Sequence, residues 1–189
     1  MSLLILGLVL FLGIHSISIV APGWRDAQAA RLGENAWKGI YTLLSLAGFA
    51  LIVIGYGQAR QEPVVLYVPP AALRHVAALL MLPVFVLLVA AYMPGRIKAA
   101  AKHPMLVATK LWATAHLLAN GNLADVLLFG GFLAWAVADR ISMKRRTQRP
   151  LPGAPAGRFN DAVALALGLV LYVGFVAFGH RWLIGVSPF

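Results

Sequence analysis

Five histidines, His15, His75, His103, His116 and His180, and six acidic residues are the side chains of this 189-residue chain best suited to hold a metal or move a proton, because cysteine is absent. Ionisable side chains inside a bilayer are costly and mark functional positions, so depth separates the histidines. At about 1.5 Å of rise per residue, His15 lies roughly 18 Å along an apolar run that starts at Leu3. His116 lies roughly 18 Å along another that starts at Pro104, about 12 Å from the opposite surface of a 30 Å core. The two runs enter from opposite sides, so the two imidazoles sit within about 6 Å of one another in height. His75, His103 and His180 fall at the edges of apolar runs. Two deep histidines on two helices at matched height suit axial ligation of a haem. A membrane histidine can equally hydrogen-bond a neighbouring helix. Catalytic zinc would want a third protein ligand, and Asp125, Asp139 and Asp161 all fall at the ends of apolar runs. The same absence of deep acids disfavours a proton relay.

The run from Pro104 adds detail. Thr109, Trp112 or Ala113, His116, and Ala119 or Asn120 share one helical face. Trp112 either lines a flat cofactor or packs as an ordinary aromatic. Lys110 is about 120° off that stripe and some 9 Å inside the edge. It either snorkels to the interface or pairs with a buried anion such as a haem propionate. His103-Pro104 reads as a helix start, and Asn120-Gly121-Asn122 as a tight turn. No Ser-His-acid constellation, G-x-S-x-G or phosphate-binding glycine loop occurs, and no 20–50-residue repeat.

The elements that must position these side chains are transmembrane helices. The chain is 61% hydrophobic and 12% charged, with mean hydropathy +0.82; soluble domains carry about twice that share of charge. A soluble enzyme is excluded, and the expected fold is all-α, a polytopic helical bundle in a single domain over 1–189. A span needs roughly 20 apolar residues, which predicts six: 2–20, 39–56, 73–93 with Pro83 inside, 104–118, 123–138 and 162–184. The first run has no positive n-region and reads as an uncleaved helix. Gly7, Gly13, Gly48, Gly55, Gly168 and Gly174 indicate close helix packing without a clean GxxxG.

Of the 16 basic residues against 6 acidic ones, twelve fall in the first, third and fifth connections. Lys/Arg excess marks the cytoplasmic side, so both termini are expected to face the periplasm. The basic stretch Met143-Lys144-Arg145-Arg146-Thr147-Gln148-Arg149-Pro150-Leu151-Pro152 reads as a flexible linker touching anionic headgroups, and no nucleic-acid partner is expected.

The segment His103-Pro104-Met105-Leu106-Val107-Ala108-Thr109-Lys110-Leu111-Trp112-Ala113-Thr114-Ala115-His116-Leu117-Leu118-Ala119-Asn120-Gly121-Asn122 resembles the signature of the NnrU family. Phe11-Leu12-Gly13-Ile14-His15-Ser16 and Ala21-Pro22-Gly23-Trp24-Arg25 resemble it too. The resemblance implies a bacterial inner-membrane protein linked to nitrogen-oxide respiration and nitric oxide handling. The 15-cis-zeta-carotene isomerases look like relatives, and they are haem b proteins acting on a carotenoid precursor. Their ligand histidines, one in an H-S pair and one after an H-P…W pattern, match His15 and His116. Those isomerases carry a cysteine one residue after the tryptophan, where this chain has Ala113, so a ligand switch of that form cannot operate here.

The matched depth together with the resemblance implies a haem b protein, with the haem held through His15 and His116 and with Trp112, Lys110 and Asn120 beside the cofactor. Such a haem would bind gas or carry electrons in nitrogen-oxide metabolism (denitrification). A haem-dependent cis–trans isomerase of a polyene lipid and a haem-free assembly factor for a respiratory complex are the other two readings.

Overall fold

A computed structural model describes residues 1–147, 149 and 152–188. Its helices are α1 (Ser2–Val20), α2 (Pro22–Leu32), α3 (Glu34–Ala59), α4 (Leu73–Ala90), α5 (Arg96–Ala101), α6 (Pro104–Ala119), α7 (Leu123–Ser142) and α8 (Asn160–Gly174). A π-helical turn (Phe175–Gly179) leads from α8 into α9 (His180–Ile184). No strand forms among the described residues; Val65 and Asn122 make an isolated antiparallel bridge. The all-α expectation holds.

Local chemistry sets the boundaries. Pro22 and Pro104 sit at the first positions of α2 and α6, where a missing N–H costs nothing. Gly33, at φ +85°, is the single residue that parts α2 from α3. Two helices, α2 and α5, lie inside segments read from sequence as connections. The helix α4 continues through Pro83.

Among the described residues four helices are long and apolar enough to cross a membrane: α1, α3, α4 and the run Asn160–Ile184. The other two expected spans are also helical but fall short for different reasons. The 16 residues of α6 rise about 24 Å, less than a 30 Å core. The 20 residues of α7 include Asp125, Asp139 and Arg140.

The chain divides into two units, one of 1–67 with 121–148 and one of 68–120 with 149–189. In the first, α1 and α3 pack through glycines. A Cβ on Gly7 would lie 2.6 Å from the Ile52 nitrogen, one on Gly48 2.8 Å from the Phe11 nitrogen, and one on Gly55 within 2.2 Å of the Leu4 nitrogen. The paired residue numbers keep a constant sum, so the helices are antiparallel. Leu12 meets Gly131, Phe11 meets Phe132 and His15 meets Trp135, a difference that stays near 120 and makes α1 and α7 parallel. The helix α2 and the end of α7, with their basic residues, therefore share one end of this unit. At the other end Gly121 accepts from the N–H groups of Leu66 and Tyr67, and Val64 accepts from Leu123. A side chain on Gly121 would overlap the Tyr67 carbonyl.

In the second unit α4 packs on α6 around Val84, Leu87 and Ala108. It packs on α8 where Gly168 meets the Val86 backbone and the Tyr172 hydroxyl donates to the Ala78 carbonyl at 3.2 Å. Asp161 accepts from the N–H groups of Arg96 and Ile97 at 2.8 and 3.0 Å, and Asn160 donates to the Pro94 carbonyl. Arg96, Lys98 and Arg158 thus share one end of this unit. Gly7, Gly48, Gly55 and Gly168 are packing glycines as expected, whereas a Cβ at Gly13 or Gly174 would meet nothing.

The basic stretch after α7 is tied down at its start. Arg146 pairs with Asp139 at 2.5 Å, both side chains largely buried. Gln148, Pro150 and Leu151 of that stretch lie outside the described residues.

Candidate functional site

His15 belongs to the first unit and His116 to the second, and each is described with its own neighbours. On α1 the imidazole of His15 stacks on Phe11 at 4.2 Å between ring centroids, with the planes 26° apart. Tyr41 of α3 and Trp135 of α7 approach edge-on at 5.1 and 6.0 Å. Nδ1 lies 2.6 Å from the Phe11 carbonyl oxygen. A carbonyl only accepts, so Nδ1 carries a proton, and in the neutral ring Nε2 keeps the lone pair. Trp135 Nε1 is buried and has no hydrogen-bond partner among the described residues. An orphan donor beside His15 is what a bound acceptor would satisfy.

On α6 the arrangement repeats. Nδ1 of His116 donates to the Trp112 carbonyl at 2.8 Å, again one helical turn back. The Trp112 ring lies 5.4 Å from the imidazole, and Asn120 donates to the His116 carbonyl at 3.0 Å. Trp112, His116 and Asn120 are therefore one cluster on one face of α6. Trp112 also packs against the Val84–Leu87–Ala108 core, so it is a packing aromatic as well as the neighbour of His116. His116 lies in the last turn of α6, nearer a helix end than a 30 Å span implies, because α6 is short. Lys110 is half-buried on the same helix, and Ala113 is fully buried. His75 is exposed at the start of α4, His103 precedes α6, and His180 bonds the Val186 carbonyl at 2.7 Å.

The NnrU protein family model matches residues 3–188. The chain belongs to the NnrU family. Neither a curated protein nor a solved structure matches it. In this NnrU protein no three His, Cys, Asp or Glu side chains gather into a metal-holding group among the described residues. Histidine ligation here would have to come from one or two imidazoles, the number of axial ligands a haem takes.

Sequence reasoning missed Tyr41 and Trp135, which reach His15 only through tertiary packing. It also missed a buried polar pair in the same unit. Asp125, 2% exposed, accepts from the Tyr56 hydroxyl at 2.5 Å and from the Asn122 N–H at 3.1 Å, which ties α3 to the start of α7. Tyr56→Phe leaves that carboxylate short of one donor, a loss of about 1–3 kcal/mol. A melt in detergent that is unchanged by Tyr56→Phe would contradict this role.

Proposed function

We propose that this NnrU protein is a multi-pass inner-membrane protein that binds haem b through His15 and His116, and that the haem binds nitric oxide or carries electrons in nitrogen-oxide metabolism. The observation that carries the reading is the matched state of the two imidazoles. Each donates Nδ1–H to the carbonyl four residues back on its own helix, which orients the ring and raises the basicity of Nε2, as in many metal-ligating histidines. The donor set fits the cofactor. Phe11, Tyr41 and Trp135 give His15 aromatic walls, and the orphan Trp135 Nε1–H can meet a propionate or another acceptor. Haem would supply a redox-active iron able to bind a diatomic gas. The chain's own residues orient each imidazole, through the Phe11 carbonyl for His15 and the Trp112 carbonyl for His116.

Clustering of basic residues at one end within each unit supports a cytoplasmic placement of those ends and periplasmic termini. Ala113, fully buried, offers no donor where the related isomerases have cysteine, so gas binding or electron transfer is favoured over isomerisation.

The deciding experiment is the visible spectrum of the detergent-purified protein. A Soret band that shifts when nitric oxide meets the reduced protein supports gas binding. A six-coordinate spectrum inert to nitric oxide supports electron transfer. A colourless, folded preparation overturns the haem reading and leaves an assembly role.

A further inference from the structure

We infer that the buried Asp139–Arg146 ion pair sets the redox balance at His15, the carboxylate favouring the oxidised, more positive state of a bound haem and the guanidinium opposing it. The inference rests on the haem reading and concerns the His15 side alone. Its residues all belong to the first unit. Trp135 meets the imidazole of His15 edge-on at 6.0 Å. Asp139 follows Trp135 on the same face of α7, one turn nearer the end that carries the basic residues. Its carboxylate is close enough to act electrostatically on both His15 and Tyr41. It does so from inside the packed helices, since Asp139 is 6% exposed.

The pair is also oriented. Arg146 reaches Asp139 from seven residues further on, past the end of α7 at Ser142. The negative end therefore lies towards His15 and the positive end away from it. Arg25, a cation that also acts on Tyr41, is itself held by Asp26 at 3.1 Å. Taking two charges out of water is costly, and well-packed apolar residues often hold a fold as well as a buried ion pair does. What apolar residues lack is a field. In surroundings of low dielectric constant a fixed charge acts far more strongly than in water. An iron that gains one positive charge on oxidation is stabilised by a nearby carboxylate and destabilised by a nearby guanidinium. The environment of a haem, and not the iron alone, sets its potential.

The test is a potentiometric titration of the detergent-purified full-length protein with dithionite and ferricyanide, one electron per haem, read at the Soret band. Asp139→Asn is expected to raise the midpoint, favouring reduction on the order of tenfold, which is about 59 mV for one electron. Arg146→Gln is expected to lower it. The double variant Asp139→Asn/Arg146→Gln leaves no buried charge unpaired and is the one best able to fold. Its midpoint is expected between those of wild type and Asp139→Asn, because the carboxylate is the nearer of the two lost charges. A pair that only held α7 in place would loosen the site alike in both single variants and move both midpoints in one direction. That result overturns the inference, as does a double variant at or below the wild-type midpoint. If the single variants fail to fold, the double variant decides alone. A colourless wild type instead removes the haem reading itself, so the two failures are told apart.

Discussion

Replacing His15 or His116 with alanine is expected to remove most of the Soret absorbance of the purified protein and to weaken haem retention by at least about tenfold, since even outer-shell partners of a ligating histidine are worth that much. Each single variant loses one axial nitrogen, so any haem that remains should change from six-coordinate to five-coordinate and show a high-spin spectrum. Millimolar imidazole should restore the low-spin spectrum in each case, because a free imidazole can take the vacated position. That rescue separates ligation from a merely structural role: a histidine that only bridged helices would give an unstable protein that imidazole cannot recolour. His75→Ala and His180→Ala provide the controls and should leave the band unchanged. His180 satisfies its ring nitrogen on the Val186 carbonyl, and His75 is exposed. A Soret band unaffected by both His15→Ala and His116→Ala would remove the ligand assignment whatever else the haem does.

The two candidate histidines stand out in the sequence because a polar side chain is conspicuous against an apolar run, but the depth expected of His116 assumed a full span, and α6 is short enough to leave it in the last turn. Their environment was only half legible. Trp112 and Asn120 lie within one helical turn of His116, and Phe11 within one turn of His15, so helical spacing alone puts them there. Tyr41 and Trp135 come from helices 26 and 120 residues further along the sequence, and no local pattern assigns them. The helices show the same division. The boundaries of α1 follow from an unbroken apolar run ended by Ala21-Pro22-Gly23. Four of the five extra residues at the start of α3, Glu34, Asn35, Trp37 and Lys38, are polar or aromatic, so the segment escapes a hydropathy reading. They are helical because Lys38 pairs with Glu34 at 2.9 Å and Trp37 docks against Trp24. The α2 segment is too polar to resemble a span, yet Pro22 at its start and Gly33 at its end frame a helix. Asp125 and Asp139 were correctly placed at helix ends, but their burial depends on Tyr56 and Arg146, partners that only the folded chain supplies.

Gly55→Ala should be among the most damaging single-methyl additions available in the first unit, and Gly57→Ala, two residues away on the same helix, should be harmless. Both replacements raise intrinsic helix propensity by up to about 1 kcal/mol, so propensity predicts two stabilised variants. Packing reverses the sign at one of them. The Cβ at Gly55 would sit within 2.2 Å of the Leu4 nitrogen and 2.7 Å of its Cα, whereas the Cβ at Gly57 meets nothing within 4 Å. The obstacle at Gly55 is backbone, which cannot rotate away as a flexible side chain can. Leu4 is itself fully buried. The methyl therefore fits only if α1 and α3 separate along a contact that Gly7 and Gly48 also hold close. Overpacking of this kind costs about 1–3 kcal/mol or more, and a bilayer adds no hydrophobic drive to close the gap again, because helix pairs there are held chiefly by van der Waals contact. Thermal melts of the two variants in one detergent should differ by several degrees, with Gly57→Ala at or above wild type and Gly55→Ala clearly below it. If the two melt together, the glycines of α1 and α3 do not set the separation of the pair. Because α1 also carries His15 against Tyr41 of α3, a widened pair should loosen the aromatic walls of the imidazole. Gly55→Ala should then weaken the Soret band although it lies far along the helix from the histidine, while Gly57→Ala leaves it intact.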